Sequence, residues 1–334
     1  MCIRDRNYIY TFHKDNAALQ AAAPVKETET QAIYSGKNFK AVFDKKSGML
    51  VSYKYNGMEY ILNGQGLHPN FWRAPIDNDY GAGLPHKLGV WKEVSYGEVT
   101  AAVFNARNGE VTCSYKFPKA DASWDITYKI YADGVIKVNN RFVAANEKTP
   151  MIPRIGLRMQ MPETFTTLTY YGRGPEENYR DRRTSQFFGE YSLPIKDMYE
   201  PYIRPQENNH RTDIYWCAFT NKSGAGLLLV ADRTFELNAS NHPLETLDSG
   251  DDLHNAAPRT AETDHRHLTD PKPEKVVDVF VDYRMMGIGG DNSWGALPHE
   301  PYLIRTGSGN AIEYGFTLVP FGRKVDFRNL IYQY

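Results

Sequence analysis

The chain has 334 residues, room for one large β domain or for two ordinary domains with separate cores, and its 39 Lys+Arg against 40 Asp+Glu leave a formal net charge of -1. That balance lacks the phosphate-neutralising excess of a nucleic-acid binder, and no apolar run approaches the roughly 20 residues of a membrane-spanning helix, so neither nucleic acid nor bilayer is expected as a partner. Aromatic residues reach 13%, with 23 tyrosines against 5 tryptophans, which suits half-wet strands and sugar-binding surfaces equally well.

In chain order, residues 1–6 fit no pattern found in the rest of the chain, as expected of a truncation scar or a cloning or assembly artefact, and nothing is built on Cys2. Residues 8–13 read as one strand, the last of a preceding β domain, and residues 16–30, rich in Ala, Glu and Thr, as a linker. Residues 38–43 supply a strand ending at the turn Asp44-Lys45-Lys46-Ser47-Gly48. Residues 49–60 predict a hairpin closed by Asn56-Gly57, a pair that accepts the two positive φ angles of a type I′ turn. The clearest signal covers residues 125–143: Ile126, Tyr128 and Ile130 alternate with Thr127 and Lys129, Asp133-Gly134 turns, and Ile136 and Val138 return. Further strands are predicted at 154–161, 167–171, 214–220, 226–231, 275–283 and 311–319. Residues 238–275 carry His, Asp, Pro and Ala with little periodicity, the kind of long segment that is functional or mobile. Strands follow strands with almost no helical periodicity, which argues for an all-β antiparallel sandwich or barrel and against βαβ units.

Several chemistries find no support. Cys2, Cys113 and Cys217 are odd in number and widely spaced, giving neither a disulfide framework nor a zinc cluster. Gly287-Ile288-Gly289-Gly290 and Gly172-Arg173-Gly174 match no phosphate loop and open no helix. His265 and His267 share a face if on a strand but lack a third ligand, and no G-x-S-x-G elbow occurs.

Three segments pack polar, aromatic and turn residues more densely than a strand requires. The first is Asn70-Phe71-Trp72-Arg73-Ala74-Pro75-Ile76-Asp77-Asn78-Asp79, followed by Tyr80-Gly81. The second runs from Tyr170-Tyr171-Gly172-Arg173-Gly174-Pro175-Glu176-Glu177-Asn178-Tyr179 through Asp181-Arg182-Arg183, accompanied by Pro205-Gln206-Glu207-Asn208. The third is Tyr283-Arg284-Met285-Met286-Gly287-Ile288-Gly289-Gly290-Asp291-Asn292-Ser293-Trp294, with Pro298-His299-Glu300 behind it. For the first two the structural reading is favoured: Arg73, Asp77, Asn78, Arg173, Glu176 and Asn178 are expected to join polar networks around strand ends. In the third, a tryptophan on a glycine-rich loop is costly to expose without a ligand to stack on it.

Together, and in this order, these strings resemble the carboxy-terminal domain of glycoside hydrolase family 2 β-galactosidases, also found as a separate small chain. The resemblance runs from about Ser35 to the end. It implies a large antiparallel super-sandwich of the galactose mutarotase-like type over residues 35–334, preceded in residues 1–34 by the tail of an immunoglobulin-like domain and a linker. It also implies that the nucleophile and acid/base glutamates, and the magnesium and sodium sites, lie on a (β/α)₈ barrel that these residues do not contain, so the chain should hold no catalytic residue, metal or cofactor. The galactoside substrate would meet the loop of Asp291, Asn292 and Trp294, with Trp294 as the sugar platform. The family commonly has Asp where Asn292 stands; Asn keeps an acceptor, so a small effect is expected. The implied partners are a barrel domain or large subunit within a homo-oligomeric holoenzyme, with cytoplasm and periplasm both open. The rival readings are an independent aldose 1-epimerase, for which no His/Glu pair is marked by a motif, and a non-catalytic carbohydrate-binding module.

Overall fold

The computed structural model describes residues 21–146, 148–248, 267–307 and 309–334. The strand expected at 8–13, the residues 1–6, Cys2 and His265 lie outside them. A first sheet is a five-stranded meander, β1 (Val25–Glu27), β2 (Gln31–Ser35), β3 (Phe39–Asp44), β4 (Leu50–Tyr55) and β5 (Met58–Glu59). Asn56 and Gly57 close its last hairpin with φ of 49° and 80°, as the Asn-Gly pair demands. The sheet starts ahead of residue 35, since β2 pairs with β3 along its whole length and Tyr34 is fully buried.

The second sheet holds twelve strands: β6 (His68–Asn70), β7 (Val103–Arg107), β8 (Glu110–Phe117), β9 (Ala122–Ile130), β10 (Ile136–Ala144), β11 (Arg154–Pro162), β12 (Phe165–Gly174), β13 (Phe187–Pro194), β14 (Arg211–Asn221), β15 (Gly226–Ser240), β16 (Val276–Met285) and β17 (Ala311–Phe321). All its pairings are antiparallel. It branches at β15, whose first half pairs with β17 and whose second half pairs with β16. The halves are buried throughout, and Asp232 to Thr234, part-exposed or exposed, mark the break. A strand covered on both faces loses the alternation that betrays half-wet strands, so β15 reads in sequence only over its apolar start, Leu227 to Val230.

Three tyrosines bind the sheets together. Tyr34, Tyr53 and Tyr60 are fully buried. Tyr34 OH lies 2.8 Å from the carbonyls of Arg107 and Glu110, Tyr53 OH donates to Gly134 O at 2.7 Å, and Tyr60 OH donates to Gly226 O at 2.8 Å. Each ring supplies apolar area while its hydroxyl satisfies a carbonyl at a turn or strand end of the larger sheet.

Helix is scarce but present. Asp77–Gly81, Leu84–Lys87 and Gly89–Tyr96 form three short helices between β6 and β7. None is long enough to persist by propensity. The last is held by Trp91, fully buried with Nε1 donating to Met151 O, and by Ser95, whose Oγ accepts from Phe71 N. Among the described residues no helix is long and apolar enough to cross a membrane.

The β6–β11 pairing buries His68, whose Nδ1 lies 2.8 Å from Gly66 O. Burial, helped by the nearby Arg158 cation, pushes the imidazole down to about 4 from an ordinary 6.5. The folded state therefore refuses a proton that the unfolded chain accepts. The His68 contribution is intact above pH 6.5 and is lost as pH falls toward 4, by on the order of 3 kcal/mol at the limit. Urea melts at pH 7, 5.5 and 4 should show the stability gap between parent and His68→Asn shrinking as pH falls. Parallel pH curves would remove His68 from the account.

Candidate functional site

The glycine-rich stretch after β16 turns outward and carries Trp294, 86% exposed, while Trp72, Trp91, Trp124 and Trp216 are buried. Four sets of contacts hold this loop. At its root, Arg73 Nη1 donates to Met286 O at 2.8 Å and Nη2 to Gly287 O at 3.1 Å, and the guanidinium is itself paired with Asp79 at 2.9 Å with both side chains buried. Next, the Asp181 carboxylate accepts from Ile288 N at 3.1 Å and Gly289 N at 2.7 Å. It fits because Gly287 has no side chain: a Cβ there would stand 2.4 Å from Asp181 Oδ2. At the tip, Asn292 Oδ1 accepts from Trp294 N at 2.9 Å and Ala296 N at 3.2 Å, and Asn78 takes Asn292 O and Gly295 N. Gly295 has φ of 101° and lies against the Gly81 backbone. Across the loop, His299 Nε2 and Asp291 Oδ1 are 2.8 Å apart, both exposed.

The three segments singled out in sequence thus meet at one place, the first and second supplying the ties and the third the tryptophan. Trp294, Asp291 and Asn292 lie together on the presented loop. Arg73 and Asn78 serve that loop and not only strand ends. Arg173 and Asn178 sit in polar networks: Arg173 Nε donates to Asp213 Oδ2 at 2.8 Å and lies over the Phe188 ring, while fully buried Asn178 bonds Arg173 O, Glu176 O and Thr212.

Asp77 and Glu176 do not sit in such networks, which corrects the sequence expectation. Asp77 is exposed, 3.9 Å from Arg204, in the first turn of its helix, where the N-terminal dipole favours an acid. The buried acid is Asp79, which also accepts from Ile76 N. Glu176 is exposed and contributes its backbone, whereas neighbouring Glu177 reaches Arg182, Tyr202 and Asn209 N. Sequence reasoning also passed over Asp181 and His299 as ties, because contacts to residues 107 and 8 positions away leave no mark in spacing.

A second, buried cluster bears on the epimerase reading. His210 Nε2 is 3.0 Å from Glu236 Oε2, a His/Glu pair that no motif announced. Its polar atoms are all engaged: His210 Nδ1 meets Asn238 Oδ1, and Glu236 accepts from Arg180 Nη1 and Met285 N. Burial alone would raise the Glu236 carboxyl, but His210, Arg180 and the Met285 N–H hold it below its ordinary value. Beside it, Arg154 donates to Asp282 Oδ2 at 2.9 Å and to Asn238 Oδ1, and Asn238 Nδ2 donates to Glu207 Oε1. Burial lifts Asp282 to about 7 despite Arg154 and His210. His210, Glu236, Arg154 and Asp282 are each 3% exposed or less, so this is a closed structural network with no face for a sugar. Among the described residues no group of three His, Cys, Asp or Glu side chains is placed to hold a metal ion.

The antiparallel, mostly β architecture is that of galactose mutarotase-like folds. The galactose mutarotase related enzyme from Lactobacillus acidophilus superimposes with a TM-score of 0.50, covering 89% of this chain and 98% of that one at 10% identity, a likeness of fold alone. The chain belongs to the β-galactosidase small chain family, whose profile matches residues 35–318. It is 34% identical over 290 residues to a β-galactosidase of Priestia megaterium and 29% identical over 322 residues to one of Streptococcus thermophilus, covering 86% and 93% of this chain. It spans only 26% and 29% of those two relatives.

Proposed function

We propose that this chain acts as the small-chain part of a β-galactosidase, presenting Trp294 to a galactoside held by a catalytic partner domain or subunit. The observation that carries the reading is an indole left 86% exposed on a loop tied down from two other segments of the chain. A polar-tied loop that exposes a large apolar ring loses hydrophobic stabilisation unless a ligand or partner covers it. The apolar face of a sugar ring is such a partner, and stacking positions the ring as well as binding it. The reaction is then retaining hydrolysis by two carboxyls roughly 5 Å apart. Both belong to the partner, as do the metal sites. The epimerase reading is disfavoured by the engaged His210–Glu236 pair, which leaves no acid or base aimed at open space.

The test is an assay of lactose hydrolysis and of anomer interconversion by the chain alone and with a barrel-bearing large chain. Hydrolysis only in the mixture is the expected result. Hydrolysis or interconversion by the chain alone overturns the proposal.

A further inference from the structure

We infer that Asn78 is the positioning residue that sets the direction of the Trp294 indole. Its side chain spans the tip of the loop: Nδ2 donates to Asn292 O at 3.0 Å, and Oδ1 accepts from Gly295 N at 3.3 Å. These two backbone groups bracket Ser293 and Trp294. One amide therefore closes the turn from outside, while the Asn292 side chain closes it from inside through Trp294 N and Ala296 N.

The amide is located against a buried ion pair. Asn78 is the second residue of the helix Asp77–Gly81, which is anchored by Asp79 through Ile76 N and the two guanidinium bonds of Arg73. The same Arg73 grips the loop root at Met286 O and Gly287 O. Root and tip are thus located against one buried ion pair. At the far end of the helix the two backbones touch, since a Cβ on Gly295 would fall 2.3 Å from Gly81 C and one on Gly81 would fall 2.8 Å from Gly295 Cα.

The chemistry at position 78 is narrow. It needs a donor toward one carbonyl and an acceptor toward one N–H within a single short side chain, which an amide supplies and a carboxylate does not. In Asn78→Asp the acceptor survives, but the lost donor turns an oxygen toward Asn292 O. In Asn78→Ala both bonds go. The site is part-exposed, so water can replace either bond and the fold should hold while the tip loosens.

The deciding measurement is time-resolved fluorescence anisotropy of the whole chain, with a Trp294→Phe chain subtracted so that the signal belongs to Trp294. Nanosecond decay reports segmental motion of the ring. Asn78→Ala and Asn78→Asp should both show a faster, larger-amplitude decay at nearly unchanged melting temperature, and Asn78→Ser, which offers one hydroxyl in place of the amide, should fall between Asn78→Ala and the parent. Decay identical to the parent in both Ala and Asp variants overturns the inference, as does a melting collapse in Asn78→Asp, which would make Asn78 a fold residue.

The consequence for sugar rests on the function proposed above. In the enzyme reassembled with a barrel-bearing chain, Asn78→Ala should raise KM for lactose several-fold with little change in kcat. Loosened anisotropy with unaltered KM would keep the positioning role and count against Trp294 as the platform, so the two readings fail separately.

Discussion

Replacing Arg154 by Met should cost about 3–5 kcal/mol of unfolding free energy, because it removes one partner of a buried ion pair and leaves the other in place. Arg154 is 1% exposed and Asp282 fully buried, joined at 2.9 Å, with Glu207 3.6 Å from the same guanidinium. Met fills comparable volume, so the loss is electrostatic and not a cavity. Its pH dependence follows from Asp282, which burial raises to about 7 from 3.8 even with Arg154 beside it. A carboxyl with a raised folded pKa binds its proton more tightly when folded. Its charge therefore penalises folding above about pH 7, and the penalty is relieved as pH falls toward 4. The deficit of Arg154→Met should accordingly be largest at pH 8 and smaller near pH 5, measured as paired urea melts. A loss below 1 kcal/mol, or one that ignores pH, would mean that water reaches the network and that the site is not sealed.

That network also marks the limit of what sequence patterning conveys. The hairpin at 125–143 was legible because one wet face preserves period-2 alternation, and both it and the hairpin at 49–60, whose alternation a register shift at Val51 interrupts, because the turn pairs Asp133-Gly134 and Asn56-Gly57 announce themselves. The second half of β15 was not, since Glu236, Asn238 and Ser240 are buried polar residues on a strand covered on both faces. β7 and β13 are edge strands whose inward residues, Phe104 and Ala106 in one and Tyr191 and Leu193 in the other, are only half-buried, while Phe187 at the start of β13 is 74% exposed, so each offers only a short apolar stripe. β8 is a plain miss: Val111, Cys113 and Tyr115 alternate inward. The helices Asp77–Gly81 and Gly89–Tyr96 are too short for periodicity and exist through Asp79, Trp91 and Ser95. At the site, Trp294 stood out through its four neighbouring glycines, residues 287, 289, 290 and 295. What orients it did not, because Asn78 and Gly295 are 217 residues apart. The exposed positions of Asp77 and Glu176 were equally hidden, since a dense polar string does not say which carboxylate of a neighbouring set turns inward.

On the function proposed above, Trp294→Ala, in a reassembly with a barrel-bearing large chain, should raise KM for lactose about tenfold, the equivalent of 1.4 kcal/mol. Stacking of an aromatic ring on an apolar face is worth about that much. The chain itself has little to lose with the indole, which is 86% exposed on a loop tied through its backbone by Arg73, Asn78, Asp181 and Asn292. Stability should therefore stay close to that of the parent, unlike the Arg154 variant. The kinetic split depends on where the bond is broken. If the carboxyls belong to a partner, deleting the platform weakens sugar binding more than it slows the chemical step, so KM rises while kcat holds within a few-fold. A fall in kcat matching the fall in kcat/KM would place the indole's contribution in the transition state alone. Unchanged kinetics would mean that the loop never reaches the sugar, and the exposed tryptophan would then have to be covered by protein. A melting temperature lowered by many degrees would contradict the exposure on which the assignment stands.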